Sequence, residues 1–139
     1  LDFLKAKSNV LIVIIPRGEK QKQQFMNYKK SDAVWKEKLI IPDSAIDTLS
    51  LLYYADLMIG GGGTMNREAV ALGVPTYSFF CGPIGDVDQY LKNTGRLHFI
   101  ATEEDIFKIE IRKKSEKKIN FSKNGKLKEF IIKEIEACL

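Results

Sequence analysis

Short apolar runs alternate along the chain with segments in which apolar residues recur at helical spacing. The run NVLIVIIP, from Asn9 to Pro16, is continuous and rich in β-branched residues, as in a strand that is buried on both faces. Similar short runs at KLIIP, DLMIG, PTYSFF and RLHFI predict four more strands. The segments between them predict helices over residues 19–30, 43–56, 64–72 and 86–93, and others that begin near Glu103 and Leu127. This alternation predicts a Rossmann-like α/β fold, with a parallel sheet and helices on both faces.

Helix ends are marked by capping and breaking residues. Asp43 or Ser44 is expected to cap the helix that contains Leu49 and Leu52. Gly73, with Pro75 just beyond it, is expected to end the helix that follows the glycine run.

Length and composition favour one soluble, globular domain. The chain has 139 residues, of which 45% are hydrophobic and 29% are charged. It has no apolar stretch near the ~20 residues of a membrane span, and its first residues do not resemble a signal peptide. Two cysteines without regular spacing predict reduced thiols, and we therefore expect a cytoplasmic protein. The single His98 and the lack of a Cys/His cluster predict neither a metal site nor a cofactor.

One segment of the chain is strongly basic. The net charge of +4 comes from scattered lysines and one dense run, RKKSEKK, from Arg112 to Lys118. Such a run is usually a solvated surface, but it can also contact phosphates or the surface of an anionic membrane. No nucleic-acid partner is expected. The chain begins in LDFLKAKSN, which resembles the end of a helix, and we therefore expect a fragment of a longer protein.

The glycine run from Gly60 to Gly63 is the strongest functional signal. It follows a predicted strand and precedes a predicted helix, at the edge of a parallel sheet where α/β proteins bind their ligands. The unpaired N–H groups and the dipole of that helix favour an anion, and without side chains a phosphate can reach them. The alternative is a tight turn that requires positive φ angles.

Known phosphate and catalytic motifs do not fit this run. Met65 or Asn66 occupies the place of the third glycine in G-x-G-x-x-G, and no Gly-Lys-Ser/Thr follows. No histidine lies near a candidate nucleophile. Glu68, one turn into the helix, could bind ribose hydroxyls or complement the helix dipole, and the residues alone leave both interpretations open.

The stretch LLYYADLMIGGGGTMNREA, together with VIIPRGEKQ before it and GDVDQYLKNTGRL after it, resembles the C-terminal half of an uncharacterised archaeal and bacterial family of predicted GT-B glycosyltransferases. It is similar, more distantly, to UDP-N-acetylglucosamine 2-epimerases and to lipid-II-forming GT-B transferases. The resemblance covers residues 10–100. It implies a C-terminal domain that binds a UDP-type nucleotide sugar, and an N-terminal domain of the same protein as its partner.

The resemblance also implies roles for individual residues. The ribose would be bound by Glu68, and Arg17 could pair with a phosphate or stack on the base. The diphosphate would be held by Gly61, Gly62, Gly63, Thr64 and Met65. The base pocket would be lined by Pro42, Asp43, Ser44 and Ala45. The weaker assignment, of the sugar, falls on Asp88 and Gln89.

The family places its acceptor site and its general base in the N-terminal domain, so no catalytic residue is assigned here. GT-B transferases need no metal, since the helix dipole and nearby cations neutralise the leaving diphosphate. Three other interpretations stay open from the sequence: a sugar-nucleotide epimerase, a non-catalytic nucleotide-binding module, and a domain resembling response regulators. The last of these would need acidic residues after the first strand, where Pro16, Arg17 and Gly18 stand instead.

Overall fold

Strands and helices alternate as the sequence predicts. The computed structural model describes residues 1–113 and 125–137. Its elements are α1 (Asp2–Lys5), β1 (Ile12–Val13), α2 (Glu19–Lys30), α3 (Ala33–Lys38), β2 (Leu39–Ile40), α4 (Thr48–Tyr54), β3 (Met58–Gly60), α5 (Gly63–Ala71), β4 (Thr76–Ser78), α6 (Asp86–Asn93), β5 (His98–Phe99), α7 (Glu103–Phe107) and α8 (Gly125–Ala137).

The strands of the described residues are parallel and form two sheets. One sheet pairs β1 with β2, where Ile12 lies opposite Leu39. The other has the order β3-β4-β5, with Met58 opposite Thr76. Parallel neighbours require a crossover connection, and helices supply it between the paired strands. The predicted Rossmann-like α/β fold is confirmed, although backbone hydrogen bonds divide the strands into a pair and a triplet.

Three clusters of apolar side chains hold the helices against the strands. Helix α5 contributes to two of them, because Ala69 packs with the residues of α4 and Val70 packs with those of α6. The buried members of the three clusters are, in turn, Trp35, Leu39 and Ile41; Leu52, Ala69 and Val74; and Val70, Leu91 and Leu97. The position of α5, and with it the glycine run at its start, is therefore fixed by packing on two sides.

Helix α4 begins later than its sequence predicts. The predicted cap at Asp43 or Ser44 is wrong, because the helix starts at Thr48 with Asp47 as its N-cap. The Asp47 carboxylate accepts hydrogen bonds from the backbone N–H groups of Leu49 and Ser50, at 3.1 Å and 3.3 Å. Asp47 therefore satisfies the unpaired donors of the first turn, and the residues before it remain a loop.

Helix α3 was not predicted from the sequence. Asp32 caps it by accepting a hydrogen bond of 2.8 Å from the backbone N–H of Val34. Trp35 lies on this helix, is only 2% exposed and packs beside Tyr28, with ring centroids 5.2 Å apart. A segment of six residues is too short to show the periodic apolar pattern of a helix in the sequence. The helix is therefore recognised only in the structure, where Trp35 is its buried residue.

Other helix boundaries in the structure agree with those predicted from the sequence. Helices α2 and α6 cover the predicted residues 19–30 and 86–93. Gly73 follows α5 with a φ of +69°, as expected of a glycine that ends a helix. The N-terminal segment forms the short helix α1, and α7 ends at Phe107.

The C-terminal predictions are covered only in part. Helix α8 spans Gly125–Ala137, near the predicted start at Leu127. In the basic run, only Arg112 and Lys113 belong to the described residues, and the remainder of the run lies outside them, as does Cys138. Within residues 1–113 and 125–137, no helix combines the length and the apolar character that crossing a membrane requires.

Candidate anion-binding site

The glycine run lies where strand β3 ends and helix α5 begins. Gly60 is the last residue of β3, Gly62 is the N-cap of α5, and Gly63 is its first residue. Positive φ angles occur at Gly73 and Gly95 among the described residues, and at none of the four glycines of the run. The backbone conformation of the turn therefore does not require glycine, and at Gly60 and Gly61 the close approach of other side chains does.

Two of the glycines make room for the protein's own side chains. A Cβ atom on Gly60 would lie 2.6 Å from Asn66 Oδ1 and 2.7 Å from Met58 Cε. A Cβ atom on Gly61 would lie 2.6 Å from Cε2 of Phe79, whose ring covers this part of the turn. The first half of the run is thus explained by packing, and this includes Gly61, which the sequence assigned to the diphosphate.

The other two glycines lie beside arginine side chains. A Cβ atom on Gly62 would come within 2.9 Å of Arg17 Nη2, and one on Gly63 would lie 3.4 Å from Arg67 Nη2. Two guanidinium groups therefore approach the backbone at the start of α5, where unpaired N–H groups are also concentrated. Both kinds of donor favour an anion, because guanidinium and amide N–H groups bind phosphate oxygens well.

Arg67 is held in place by Asp88 on helix α6. Its Nε and Nη2 atoms donate to the two carboxylate oxygens at 2.8 Å and 3.1 Å. The Asp88 side chain is 16% exposed and that of Arg67 is 44% exposed. The hydrogen bonds and charge of Asp88 raise the pKa of Arg67 above its usual range. This pair joins the first turn of α6 to α5 and fixes the guanidinium near the glycine turn.

A cavity of about 220 Å³ opens at this place. It lies between the N-terminal ends of α5 and α6, so the positive ends of two helix dipoles border it. Its wall includes the cationic Arg67, the acidic Asp88 and the aromatic Phe80. The lining residues are Gly62, Gly63, Asn66, Arg67, Ser78, Phe80, Pro83, Gly85 and Asp88.

Asn66 forms part of this wall and is almost fully buried, with 2% exposure. Its Nδ2 group donates a hydrogen bond of 3.2 Å to the carbonyl of Gly60 and so supports the glycine turn from within. Its Oδ1 atom is shielded from solvent and accepts no hydrogen bond.

The structure brings some of the predicted residues together and separates others. Gly62, Gly63 and Asp88 line the cavity, and Arg17 lies beside it. Glu68, by contrast, lies in a groove between α4 and α5. That groove is lined by Leu49, Ser50, Tyr53, Glu68, Ala71 and Leu72. Ribose bound by Glu68 would thus lie along α4, on a different part of α5 from the cavity.

The remaining predicted residues are not among those that line the cavity or the groove. The Thr64 side chain is exposed, and the partly buried Met65 packs against the apolar cluster of Leu52. Gln89 is exposed and donates to Asn93 Oδ1 at 2.8 Å. The predicted base-pocket residues Pro42, Asp43, Ser44 and Ala45 form the loop before α4.

Sequence reasoning missed six residues of the cavity wall: Asn66, Arg67, Ser78, Phe80, Pro83 and Gly85. All six lie within eight positions of a strand end, but residues of these types are common throughout proteins, so their type gave no signal. The described part of the chain holds no group of three His, Cys, Asp or Glu side chains suited to a metal ion.

Comparison with known proteins identifies relatives without an established activity. The model of a family described as "Protein of unknown function (DUF354)" matches residues 1–137. The chain is 41% identical over 97 residues to uncharacterized protein MJ0665 of Methanocaldococcus jannaschii, a match that covers 70% of this chain and 26% of that relative. The chain therefore spans about a quarter of that relative's length. No solved structure matches the chain significantly.

Proposed function

This chain belongs to the DUF354 family of unknown function, and we propose that it binds the nucleotide-sugar donor of a glycosyltransferase. The donor is a UDP-type nucleotide sugar, with its diphosphate at Gly62 and Gly63 and its sugar in the cavity beside Asp88. The acceptor site and the general base would come from an N-terminal domain of the same protein. This assignment combines the geometry of the cavity with the resemblance of the glycine segment to GT-B transferases.

The observation that carries the proposal is the clustering of positive groups around the glycine turn and the cavity beside it. Arg17 lies against Gly62 and Arg67 lies against Gly63, and the N-terminal ends of α5 and α6 border the cavity. A single phosphate could be bound by fewer hydrogen-bond donors, whereas a diphosphate offers oxygens to both guanidinium groups and to the backbone donors at once. Asp88 Oδ1 lies 2.8 Å from Arg67 Nε, and this carboxylate on the same wall could accept a hydrogen bond from a sugar hydroxyl.

The same groups suit the chemistry of sugar transfer. In that reaction the acceptor hydroxyl oxygen forms a bond to the anomeric carbon, while the bond from that carbon to the phosphate oxygen breaks. The electron pair of the broken bond stays on the diphosphate, which gains negative charge as it leaves. In this proposal Arg17, Arg67 and the N–H groups of α5 would stabilise this charge, because preorganised donors act most strongly where charge develops.

The nucleoside would lie on the other side of the glycine turn. The loop that contains Pro42, Asp43, Ser44 and Ala45 precedes α4, and Glu68 faces the groove between α4 and α5. A nucleotide that follows the turn from the cavity to this groove would place its diphosphate between its sugar and its ribose. In a nucleotide sugar the diphosphate links the sugar to the ribose, so the order of the three parts agrees with such a path.

Titration with UDP tests the proposal directly. In NMR spectra of the labelled chain, UDP should shift the backbone amides of Gly62 and Gly63 before those of other residues. We expect a dissociation constant on the order of millimolar, since in this proposal an N-terminal domain would supply the rest of the binding cleft. Uridine, which lacks the diphosphate, is the control and should leave these amides in place. If the amides stay fixed at several millimolar UDP while another region responds, the diphosphate site is wrong.

Activity provides a second test. The chain by itself should transfer no sugar, because the acceptor and the general base would lie in the N-terminal domain. A full-length member of the family should hydrolyse or transfer from a UDP-sugar, and an Arg67→Ala variant should lose most of that activity. Sugar transfer by the isolated chain would contradict the assignment to the donor half.

A further inference from the structure

Phe80 is the aromatic residue among the described residues that line the cavity beside the glycine turn. It is 46% exposed. Because the ring makes up most of the surface of a phenylalanine, part of the ring is open to a ligand in the cavity. A single exposed apolar side chain is ordinary on a protein surface, so exposure alone assigns no role to it. The way in which the ring is held is more informative.

The ring of Phe80 lies against the backbone of Gly82. A Cβ atom on Gly82 would lie 2.5 Å from Phe80 Cζ and 2.8 Å from Phe80 Cε1, which is closer than such atoms can approach. Gly82 is not among the glycines with a positive φ angle, so the ring, and not the backbone conformation, requires glycine there. The backbone of Phe80 is also held, because its N–H group donates a hydrogen bond of 3.3 Å to Oγ of Ser78, a buried residue at the end of β4. The ring is therefore a fixed part of the cavity wall.

A fixed aromatic ring beside charged groups suits a ligand that combines an apolar face with polar edges. Arg67 and Asp88 supply the charged groups on the same wall. A pyranose sugar has the matching form, because carbon-bound hydrogens cover much of its faces while most of its hydroxyl groups project from its edge. The face of an aromatic ring is electron-rich and attracts the slightly positive hydrogens of C–H groups. A phosphate alone has no apolar face and gains nothing from such a ring.

We propose that Phe80 binds the sugar of the donor by packing its ring against the C–H face of the pyranose, and that Gly82 positions the ring for this contact. The inference rests on the proposed function, in which the diphosphate lies at Gly62 and Gly63 and Asp88 accepts a hydrogen bond from a sugar hydroxyl. A uracil base would suit this wall less well than a sugar, because its carbonyl oxygens would face the carboxylate of Asp88.

NMR of the unmodified chain with UDP-glucose tests the inference without a mutation. Nuclear Overhauser effects should connect the ring protons of Phe80 with carbon-bound protons of the glucose. The ring current of Phe80 should also move these glucose protons upfield of their positions in free UDP-glucose. Contacts from the ring to the carbon-bound protons of the uracil, in place of those of the glucose, would overturn the inference and would place the base in the cavity.

The ratio of the affinities for UDP-glucose and UDP provides an independent measurement, because only UDP-glucose carries the sugar. Phe80→Leu keeps an apolar side chain but removes the aromatic face, so the preference for UDP-glucose relative to UDP should fall by about threefold to tenfold. Gly82→Ala should lower the same ratio although Phe80 is still present, because the added methyl group displaces the far end of the ring. Phe107→Leu is the matched control, since Phe107 is 75% exposed on α7 and does not line the cavity, and it should keep the ratio.

The outcomes separate this inference from the proposed function. If UDP does not shift the amides of Gly62 and Gly63, the diphosphate site is wrong, and the sugar contact falls with it. If UDP shifts these amides but the ratio is unchanged in folded Phe80→Leu, the diphosphate site stands and the sugar contact of Phe80 is overturned. Equal losses of affinity for UDP and UDP-glucose would also overturn it, because the ring would then support the glycine turn and not the sugar. An unchanged ratio in Gly82→Ala would refute the positioning role of Gly82. If Phe80→Leu does not fold, the nuclear Overhauser effects in the unmodified chain decide.

Discussion

The guanidinium group of Arg67 forms two hydrogen bonds with the carboxylate of Asp88, from Nε to Oδ1 at 2.8 Å and from Nη2 to Oδ2 at 3.1 Å. The two residues lie 21 positions apart, on helices that border the same cavity. A guanidinium carries five N–H donors, so this pair leaves others for a ligand. Asp88 thus orients Arg67 without consuming its capacity to bind an anion.

Arg67→Lys should weaken UDP binding by about fivefold to tenfold. Lysine keeps the positive charge but lacks the planar fork that engages Asp88 in two bonds, so the cation is no longer fixed beside Gly63. Stability should change little, because exposed ion pairs contribute little to folding. Isothermal titration calorimetry with UDP measures the affinity.

Arg112→Lys is the matched control for this variant. Arg112 is 78% exposed and pairs with Glu110 at 2.9 Å, and we place no ligand near it. Its replacement should leave UDP affinity unchanged. Equal losses in the two variants would mean that the general charge of the chain, and not the position of Arg67, governs binding.

Gly60→Ala should destabilise the fold, by roughly 1–3 kcal/mol. The added methyl group would lie 2.6 Å from Asn66 Oδ1 and 2.7 Å from Met58 Cε, in a buried position where neighbours must move. Gly18→Ala is the control, because no atom lies within 4 Å of its added Cβ and its φ of −173° suits any residue. Urea unfolding should show a smaller loss for Gly18→Ala, and an equal loss would contradict the packing explanation of Gly60.

Glu68→Gln should weaken UDP binding by about tenfold to a hundredfold in a full-length member of the family, if the carboxylate binds both ribose hydroxyls. The affinity for 2′-deoxy-UDP should fall less, since that ligand already lacks one hydroxyl. Competition binding with the two nucleotides measures the difference. Equal losses would leave Glu68 a structural residue of the groove between α4 and α5.

The pH dependence of stability should report on the cap of α4. Hydrogen bonds from the Ser50 side chain and from the backbone N–H groups of Ser50 and Leu49 lower the pKa of Asp47. A lowered folded pKa stabilises the protein above the ordinary carboxyl range, and this stabilisation is lost as the pH falls from about 5 toward the folded pKa. Asp47→Asn keeps a capping oxygen but does not titrate there.

The measurement compares the free energy of unfolding of the two proteins between pH 7 and pH 3. The unmodified chain should lose more stability over this interval than Asp47→Asn. All other carboxylates are shared, so the difference between the two curves isolates Asp47. Parallel curves would show that the cap does not depend on its charge.

The sequence by itself determined the local features of this protein. Helices α2 and α6 have the bounds that their patterns predict, and the glycine run lies between a parallel strand and a helix. Gly73 ends α5 with a positive φ. These features depend on propensity, periodicity and capping among residues close in sequence, so they can be read without knowing what packs against them.

Only the tertiary structure decided which residues meet at the candidate site. Arg17 reaches Gly62 from the loop after β1, and Arg67 reaches Asp88 on another helix. Phe79 accounts for Gly61, a glycine that the sequence had assigned to a ligand. Such contacts depend on how separate elements pack against one another, and local pattern carries no information about that. The unpaired oxygen of Asn66 is the clearest case, since a partner can be known to be missing only when every neighbour is in place.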